Sequence, residues 1–178
     1  MIPRFDREGL LPADTQATAD QIAASHLVTG AGMRSRSWDR QWRSQLVENL
    51  RQVSEMFWRA GAQEIVIDGS FVEMVDHPGD IDAYFTLANP FDFDDFKDRI
   101  NQMDSDPVWT WEPSRFQSFP DAKIPRPPFW GKYHIDIFPD WGQPCGITDR
   151  SGRMLTFPQA FRQQRGTFRR KGVILLVP

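Results

Sequence analysis

The sequence predicts a single α+β domain in which helices flank a β-sheet. Its 178 residues are enough for one domain with a hydrophobic core, and aromatic residues, at 13%, supply ample material for that core. Residues 38–60 repeat apolar side chains at helical spacing, whereas several shorter apolar segments are typical of strands. Neither an internal repeat nor a domain boundary is evident, so we expect one domain over residues 1–178.

The N-terminal segment is expected to be an extended arm followed by a helix and a loop. Prolines interrupt residues 1–14, which favours an extended arm. The pattern over residues 15–28 is compatible with a helix that Asp14 or Thr15 would cap. Residues 29–37 are rich in Gly and Ser and therefore predict a loop.

Residues 38–60 carry the clearest helical pattern in the chain. Ser37 is a suitable N-terminal cap, and Gly61 follows in the position where glycine commonly ends a helix. Apolar side chains recur at steps of three and four, so they form one stripe that is expected to face the core. These apolar positions are Trp38, Trp42, Leu46, Leu50, Val53 and Phe57.

Five short strands, two further helices and one hairpin are predicted in the rest of the chain. Short apolar runs bounded by turn residues are typical of strands. The predicted strands cover residues 64–68, 82–87, 108–111, 132–138 and 172–177. The predicted helices cover residues 91–101 and 157–164, and residues 147–156 predict a hairpin that turns at residues 149–152.

A long irregular loop is predicted over residues 113–130, because this segment contains five prolines. Loops of this length in a compact domain are commonly functional or mobile. Two aromatic residues near its end, Phe129 and Trp130, could stack on a bound base, and packing in the core is an equal alternative.

The charges are unevenly distributed along the chain. The formal net charge is only −3, which argues against a generic nucleic-acid binder. Residues 61–140 carry 6 basic and 16 acidic side chains, whereas residues 141–178 carry 7 basic and 1 acidic. This distribution fits either mutual neutralisation or an acidic metal site beside a basic surface for phosphate.

Composition also bears on the cellular compartment. The single cysteine, Cys145, excludes an intrachain disulfide and is interpreted as structural. The N-terminus carries charges from its first residues, unlike a signal peptide, and no apolar run approaches the roughly 20 residues that span a bilayer. We therefore expect a cytoplasmic protein without a membrane partner.

Two closely spaced aspartates, Asp80 and Asp82, lie near the end of the segment IVIDGSFVEMVDHPGDIDAYF, residues 65–85. Side chains alternate along a strand, so Asp80 and Asp82 are expected to point the same way. Two buried carboxylates at this distance repel unless a proton or a cation lies between them. Hard oxygen ligands favour Mg²⁺ or Mn²⁺, so this pair predicts a site for a divalent metal.

A glycine and a serine precede this pair at the end of the predicted strand 64–68. Gly69 allows a ligand to approach the backbone closely, and Ser70 adds a hydroxyl donor. Phe71 and the residues after it can begin a helix, whose first N–H groups would face a bound anion. The turn is therefore predicted to hold phosphate.

A third carboxylate is expected from the predicted strand 132–138. Asp136 lies in the middle of an apolar run, where a carboxylate is costly unless it is paired or binds a cation. If this strand lies beside strand 82–87, Asp136 joins Asp80 and Asp82. Asp140 is the rival for this role, but it follows Pro139 and is expected beyond the strand.

This set of residues resembles the signature of the DNA polymerase β-like nucleotidyltransferase superfamily. The resemblance implies a mixed β-sheet with flanking helices and a metal-dependent transfer of a nucleoside monophosphate from an NTP. By the same resemblance, Gly69 and Ser70 would bind the nucleotide phosphates. Asp80, Asp82 and Asp136 would be catalytic and would hold two Mg²⁺ or Mn²⁺ ions, with Asp136 helping to activate the attacking hydroxyl.

The run IPRFDREGLLP and the GSF…PGDID segment also resemble small, uncharacterised bacterial nucleotidyltransferase-like proteins. Some superfamily relatives are toxins of toxin–antitoxin systems that modify tRNA or proteins. The expected acceptor is accordingly tRNA, a protein or a small molecule, and a toxin or defence role with an antitoxin or regulatory partner is one expectation.

Two alternatives remain open at this point. The chain lacks the helical domain that follows the catalytic core in many relatives, which would suit a catalytically silent module binding a nucleotide or a partner. The same acids could also serve a metal-dependent phosphohydrolase. We divide the domain into an N-terminal arm and helix (1–36), a catalytic core (37–140) and a basic C-terminal segment (141–178).

Some basic residues of the C-terminal segment would bind the triphosphate or an anionic acceptor, and a solvated surface is the alternative. The basic side chains there are Arg150, Arg153, Arg162, Arg165, Arg169, Arg170 and Lys171. Two histidines, His77 and His134, flank the predicted site in sequence and are interpreted as structural or surface residues.

Overall fold

The centre of the molecule is a mixed five-stranded sheet in the computed structural model, which describes residues 1–32 and 35–178. The sheet strands are β1 (Thr15–Ala17), β2 (Ala62–Asp68), β3 (Ile81–Leu87), β4 (Ile135–Pro139) and β7 (Ile174–Leu176). A separate hairpin contains β5 (Pro144–Thr148) and β6 (Met154–Thr156).

The strand order in the sheet is β1-β7-β2-β3-β4. The outer pairs, β1 with β7 and β3 with β4, are parallel, whereas β2 is antiparallel to both of its neighbours. The sheet is thus mixed, and the chain is a single α+β domain. The C-terminal strand β7 lies between β1 and β2, so the two ends of the chain meet in one half of the sheet.

In the part of the chain that the structure describes, six helices surround the sheet. They are α1 (Ala19–Ala23), α2 (His26–Thr29), α3 (Arg40–Ala60), α4 (Phe93–Met103), α5 (Pro128–Tyr133) and α6 (Phe157–Ala160). Single 3-10 turns occur at Ser70–Val72, Pro90–Asp92 and Pro113–Arg115. Within the described ranges, no helix combines the length and apolar character needed to cross a membrane.

Helix α3 carries the predicted apolar stripe, but the helix begins two residues later than predicted. Asp39, rather than Ser37, caps the helix by accepting a hydrogen bond from the backbone N–H of Trp42 at 2.9 Å. Gly61 ends the helix with a φ of 115°, a left-handed conformation that glycine adopts without strain. Trp38 lies before the helix, so it belongs to the preceding segment.

The two faces of the sheet are covered differently. The inner face packs on α3 and α4. The ring of Phe57, in α3, lies 5.0 Å from the ring of Phe85 and 5.2 Å from that of Phe96. The outer face carries a smaller apolar group in which Phe161 of the C-terminal segment lies 5.3 Å from the ring of Tyr84. The C-terminal segment therefore covers the outer face.

The predicted helix over residues 15–28 is wrong. Its first residues form β1, because they pair with β7 from the far end of the chain, a contact that local pattern cannot reveal. Thr18 then caps α1 in a reciprocal arrangement with Gln21, and Ser25 caps the separate helix α2. Neither Asp14 nor Thr15 is the cap.

The predicted strand at residues 108–111 is also wrong. The backbone N–H and C=O of Trp109 bond instead to the side-chain amide of Asn101, at 3.0 and 2.9 Å. These bonds satisfy the backbone without a neighbouring strand, which leaves the segment extended but outside the sheet.

The predicted strand over residues 132–138 begins late, because α5 occupies its first two positions. Two prolines, Pro127 and Pro128, favour a helix start here, and His134 ends the helix with a φ of 50°. The predicted loop 113–130 therefore contains the first turn of α5. The predicted loop 29–37 includes Met33 and Arg34, which lie outside the described residues.

The other predicted elements are confirmed with changed ends. Strands β2, β3 and β7 and helix α4 lie where they were expected. The hairpin at residues 147–156 forms, with a turn in which Asp149 accepts hydrogen bonds from the backbone N–H groups of Ser151 and Arg153. Helix α6 is shorter than predicted and ends at Ala160.

Candidate functional site

Three aspartates lie side by side across adjacent strands on the outer face of the sheet. Asp82 of β3 is opposite Asp68 of β2 in the antiparallel pair and opposite Asp136 of β4 in the parallel pair. Neighbouring strands are about 4.8 Å apart, so these carboxylates are close neighbours. The structure thus brings Asp82 and Asp136 together as predicted, and it adds Asp68.

Asp80 joins this group from the residue before β3. Its Oδ2 accepts a hydrogen bond from the indole N–H of Trp130 at 2.8 Å, and the residue is buried, at 8% exposed. The backbone of the next residue, Ile81, donates to the carbonyl of His134 at 3.0 Å. Helix α5 and its end therefore fix the position of Asp80. We call Asp68, Asp80, Asp82 and Asp136 the carboxylate cluster.

Arg126 bridges two members of the carboxylate cluster. Its Nη1 donates to Oδ2 of Asp136, and its Nη2 lies 3.6 Å from Oδ2 of Asp80. The guanidinium also lies 5.7 Å from the ring centre of Trp130. Sequence analysis missed this residue, because its contacts depend on the path of the proline-rich segment rather than on any local pattern.

Gly69 allows the chain to pass directly over the carboxylate of Asp82. Its φ is 78°, and a Cβ placed on it would lie 1.7 Å from Oδ2 of Asp82, a distance that no side chain can occupy. Glycine is therefore required here for both conformation and space. The helix expected after it is only one 3-10 turn, Ser70–Val72, so the predicted phosphate cradle would lack a helix dipole.

Lys171 neutralises one end of the carboxylate cluster. Its Nζ lies 3.0 Å from Oδ1 of Asp68 and also contacts Glu73, whose other oxygen accepts a hydrogen bond from Gln164 at 3.1 Å. Burial alone would lower the pKa of Lys171, but the two carboxylates outweigh it and raise the pKa. Lys171 thus joins the C-terminal segment to the Gly69 turn as a buried cation.

Three members of the carboxylate cluster, Asp68, Asp82 and Asp136, have raised pKa values. Burial raises the pKa of Asp68 to about 7, although Lys171 opposes the shift. Burial also raises the pKa of Asp136 to about 6 against the attraction of Arg126. The pKa of Asp82 is raised well above its ordinary value, first by burial and then by Asp80, Asp136 and Asp68. Burial therefore disfavours the charged forms of these three carboxylates.

Two cavities lie on either side of Arg126. The phosphate-side cavity, about 330 Å³, is bounded by Gly69 and Ser70, and the strand-side cavity, about 400 Å³, is bounded by Asp136. Asp82 and Arg126 border both cavities. Ile147, Phe161 and Arg165 border both cavities as well, and we call the two cavities together the cleft.

Several other candidate residues lie away from this chemistry. Asp140 accepts a hydrogen bond from Gly142 in the turn after β4, so Asp136 is the aspartate that joins the cluster. Phe129 and Trp130 are buried, which leaves neither ring free to stack on a base. His77 pairs with Asp39 at 2.9 Å, in line with a structural role.

Most basic residues of the C-terminal segment already have acidic partners. Their ion pairs are Arg153–Asp149 (3.1 Å), Arg162–Asp14 (2.9 Å), Arg169–Glu8 (3.0 Å) and Lys171–Asp68 (3.0 Å). Arg165 differs, because it is exposed and borders both cavities. Mutual neutralisation thus accounts for much of the basic segment, and Arg165 is its best placed residue for an anionic ligand.

Among residues 1–32 and 35–178, no three or more His, Cys, Asp or Glu side chains are arranged around a common point as metal ligands. The guanidinium of Arg126 lies against two of the acids, Asp80 and Asp136. The donor set nevertheless fits a hard divalent cation. Oδ1 of Asp136 is buried and, within the described part of the chain, accepts no hydrogen bond.

Comparison with known proteins places the chain in one family. Residues 3–177 match the family described as "Family of unknown function (DUF6932)", and the chain belongs to that family. No curated protein and no solved structure matches the chain. The family match covers both the carboxylate cluster and the C-terminal segment that supplies Lys171.

Proposed function

We propose that this member of the DUF6932 family is a metal-dependent nucleotidyltransferase that moves a nucleoside monophosphate from an NTP to a hydroxyl group of an acceptor. The observation that carries the proposal is the alignment of Asp82 with Asp136 on adjacent strands, with the backbone of Gly69 against Asp82. The resemblance to the DNA polymerase β-like superfamily, described above, supports the same activity.

The charge balance of the site supports a metal. Five acidic side chains, the carboxylate cluster and Glu73, face two internal cations, Lys171 and Arg126. Burial raises the pKa of Asp68 to about 7 and that of Asp136 to about 6, even though Lys171 and Arg126 oppose these shifts. A divalent ion would relieve this repulsion at neutral pH without protonation.

Asp80, Asp82 and Asp136 are the residues that would hold Mg²⁺ or Mn²⁺. When bound, these ions supply positive charge that offsets the triphosphate and lowers the pKa of the attacking hydroxyl. Gly69 and Ser70 would bind the phosphates at the phosphate-side cavity, where the bare backbone and the serine hydroxyl are available.

The reaction divides between the two cavities of the cleft. The acceptor hydroxyl would enter from the strand-side cavity, bounded by Asp136. Its oxygen bonds to the α-phosphorus, the bond from that phosphorus to the bridging oxygen of the β-phosphate breaks, and pyrophosphate leaves. Asp136, which borders this cavity, would accept the hydroxyl proton. The acceptor is a tRNA, a protein side chain or a small molecule.

A transfer assay tests the proposal. The wild type and the Asp80→Ala and Asp82→Ala variants are incubated with each α-³²P-labelled NTP, Mg²⁺ and a bacterial extract. We expect label to pass from one NTP to an acceptor only with wild type, and circular dichroism should show that both variants are folded. Full activity in either variant would exclude this mechanism.

A catalytically silent module is the second candidate, and one observation favours it. Arg126 already pairs with Asp80 and Asp136, so two of the acids have a counter-charge without any metal. Such a module would bind a nucleotide or a partner protein without transfer. Nucleotide binding that requires neither Mg²⁺ nor Mn²⁺ would support this candidate over the enzyme.

A further inference from the structure

We propose that Arg126 is an exchangeable cation of this site, which holds Asp80 and Asp136 before metal binds and afterwards binds the nucleotide phosphates. The inference rests on the proposed function, and it assigns Arg126 a second position beside the phosphates. Its starting point is the contact of one guanidinium with both carboxylates.

Arg126 stands where a metal bound to Asp80 and Asp136 would compete with it. Its two terminal nitrogens contact Oδ2 of each carboxylate, and these oxygens are among the ligands that a divalent ion needs. A guanidinium and a divalent ion repel each other, so the two cations compete for these carboxylates. We infer that metal binding displaces the Arg126 side chain.

The bonds that hold Arg126 are incomplete, which lowers the cost of displacement. Its Nε and Oδ1 of Asp136 are both buried and have no hydrogen-bond partner in residues 1–32 and 35–178. The contact with Asp80, at 3.6 Å, is longer than a hydrogen bond. A half-satisfied polar contact in a buried position is a weak competitor for a dication.

The backbone around Arg126 is anchored, so the displacement is confined to the side chain. Two backbone hydrogen bonds of 2.8 Å join Arg126 to Gln117 and close the segment 117–126. Phe119 of this segment packs over Gly131, where an added Cβ would lie 2.1 Å from its ring. The same ring lies 5.4 Å from Trp130, so the segment is fixed on α5.

The displaced side chain has an anion within reach on one side. Arg126 borders the phosphate-side cavity together with Gly69 and Ser70, the residues proposed to bind the phosphates. A guanidinium binds phosphate oxygens through two parallel hydrogen bonds, which suits the triphosphate better than a single carboxylate oxygen. Arg126 would then offset charge on the β- and γ-phosphates while Asp80 and Asp136 face the metal.

In the first arm of the test, Mn²⁺ is titrated into the protein without nucleotide. The electron paramagnetic resonance signal of free Mn²⁺ measures how much of the ion is bound. We expect Arg126→Gln to bind Mn²⁺ about tenfold more tightly than wild type, because a charge-assisted competitor is lost. Lys123→Gln, an exposed residue of the same segment, removes the same charge and should match wild type. Equal or weaker Mn²⁺ binding by Arg126→Gln would overturn the inference.

The second arm measures binding of inorganic triphosphate at saturating Mn²⁺ by calorimetry. Arg126→Gln should bind the triphosphate about tenfold more weakly, and Arg126→Lys should fall between it and wild type, because lysine keeps the charge but loses the paired donors. Triphosphate binding unchanged in Arg126→Gln would also overturn the inference.

Failure of the inference can be told apart from failure of the proposed function. Asp82→Asn serves for this purpose, because Asp82 borders both cavities but is not bridged by Arg126. If Asp82→Asn binds Mn²⁺ as wild type does, the metal is not at the carboxylate cluster and the proposed function fails. If Asp82→Asn loses Mn²⁺ but Arg126→Gln matches wild type, only the role of Arg126 fails.

Discussion

Asp82 and Asp136 lie opposite each other on the adjacent parallel strands β3 and β4. The residues on either side of them, including Ala83 and Ile137, face the hydrophobic core, so strand alternation directs both carboxylates to the outer face. The sheet therefore holds two like charges together, on a rigid element, at the floor of the cleft. This arrangement is destabilising for a fold that does not use it.

Asp136, and not Asp140, should be required for metal binding. Asp136→Asn removes one charge from the carboxylate cluster and should weaken Mn²⁺ binding about tenfold or more. Asp140→Asn removes the same charge only four residues away, from a turn where Asp140 bonds to Gly142. Mn²⁺ titration of both variants measures this difference, and equal losses would show that general electrostatics, rather than a ligand, is responsible.

Gly69→Ala should disrupt the site and destabilise the fold. The substitution places a methyl group 1.7 Å from Oδ2 of Asp82 at a φ of 78°, so we expect a loss of more than about 2 kcal/mol in the free energy of unfolding. Gly79→Ala is the matched control, because an added Cβ there meets no atom within 4 Å. Urea unfolding of the two variants tests this, and similar stabilities would contradict it.

Lys171→Met should be strongly destabilising. It leaves the buried Asp68 and the half-buried Glu73 without their counter-charge, and breaking a buried ion pair typically costs about 3–5 kcal/mol. Arg170→Met alters an exposed neighbour and should stay within about 0.5 kcal/mol of wild type. A small effect of Lys171→Met in urea unfolding would contradict a stabilising role for this cation.

The metal-free protein should lose stability as the pH rises from about 4 to about 7. The folded pKa values of Asp68 and Asp136, about 7 and about 6, lie above the ordinary value of 3.8, so the fold binds these protons more tightly than the unfolded chain. Their contribution is full below the unfolded value and is lost as pH rises through the folded values.

Melting temperatures in EDTA across this pH range measure the effect. The melting temperature should fall less steeply with pH in Asp136→Asn than in wild type. This comparison separates the contribution of Asp136 from that of other titrating groups such as His26, whose pKa is lowered by burial. Saturating Mn²⁺ should remove the downward slope in wild type. A wild-type melting temperature that rises with pH in EDTA, with the same slope in Asp136→Asn, would contradict this account.

The sequence was sufficient to predict those parts of the site that depend on local pattern. Strand alternation placed Asp80, Asp82 and Asp136 on one face, and glycine before a serine marked the turn at Gly69. Asp136 was preferred over Asp140 because a proline ends the strand between them, and the structure agrees on their positions.

The residues that sequence analysis missed depend on contacts between distant parts of the chain. Asp68 was predicted only as the end of a strand, and its place in the carboxylate cluster follows from its position opposite Asp82 and from its pairing with Lys171, 103 positions later. Arg126 lies in a proline-rich segment, and no periodicity in the sequence predicts the path of the backbone there. The strand β1 was mistaken for a helix because its partner, β7, is the last strand of the chain.

The most direct test of the central claim is the melting temperature with each NTP, measured with and without Mg²⁺ or Mn²⁺, for wild type and Asp80→Ala. A ligand present at 100 times its dissociation constant adds about 2.7 kcal/mol, which gives a clear shift. We predict a metal-dependent increase for one NTP in wild type and none in Asp80→Ala. An increase that is independent of metal, or that persists in Asp80→Ala, would contradict a metal-dependent nucleotide site at the carboxylate cluster.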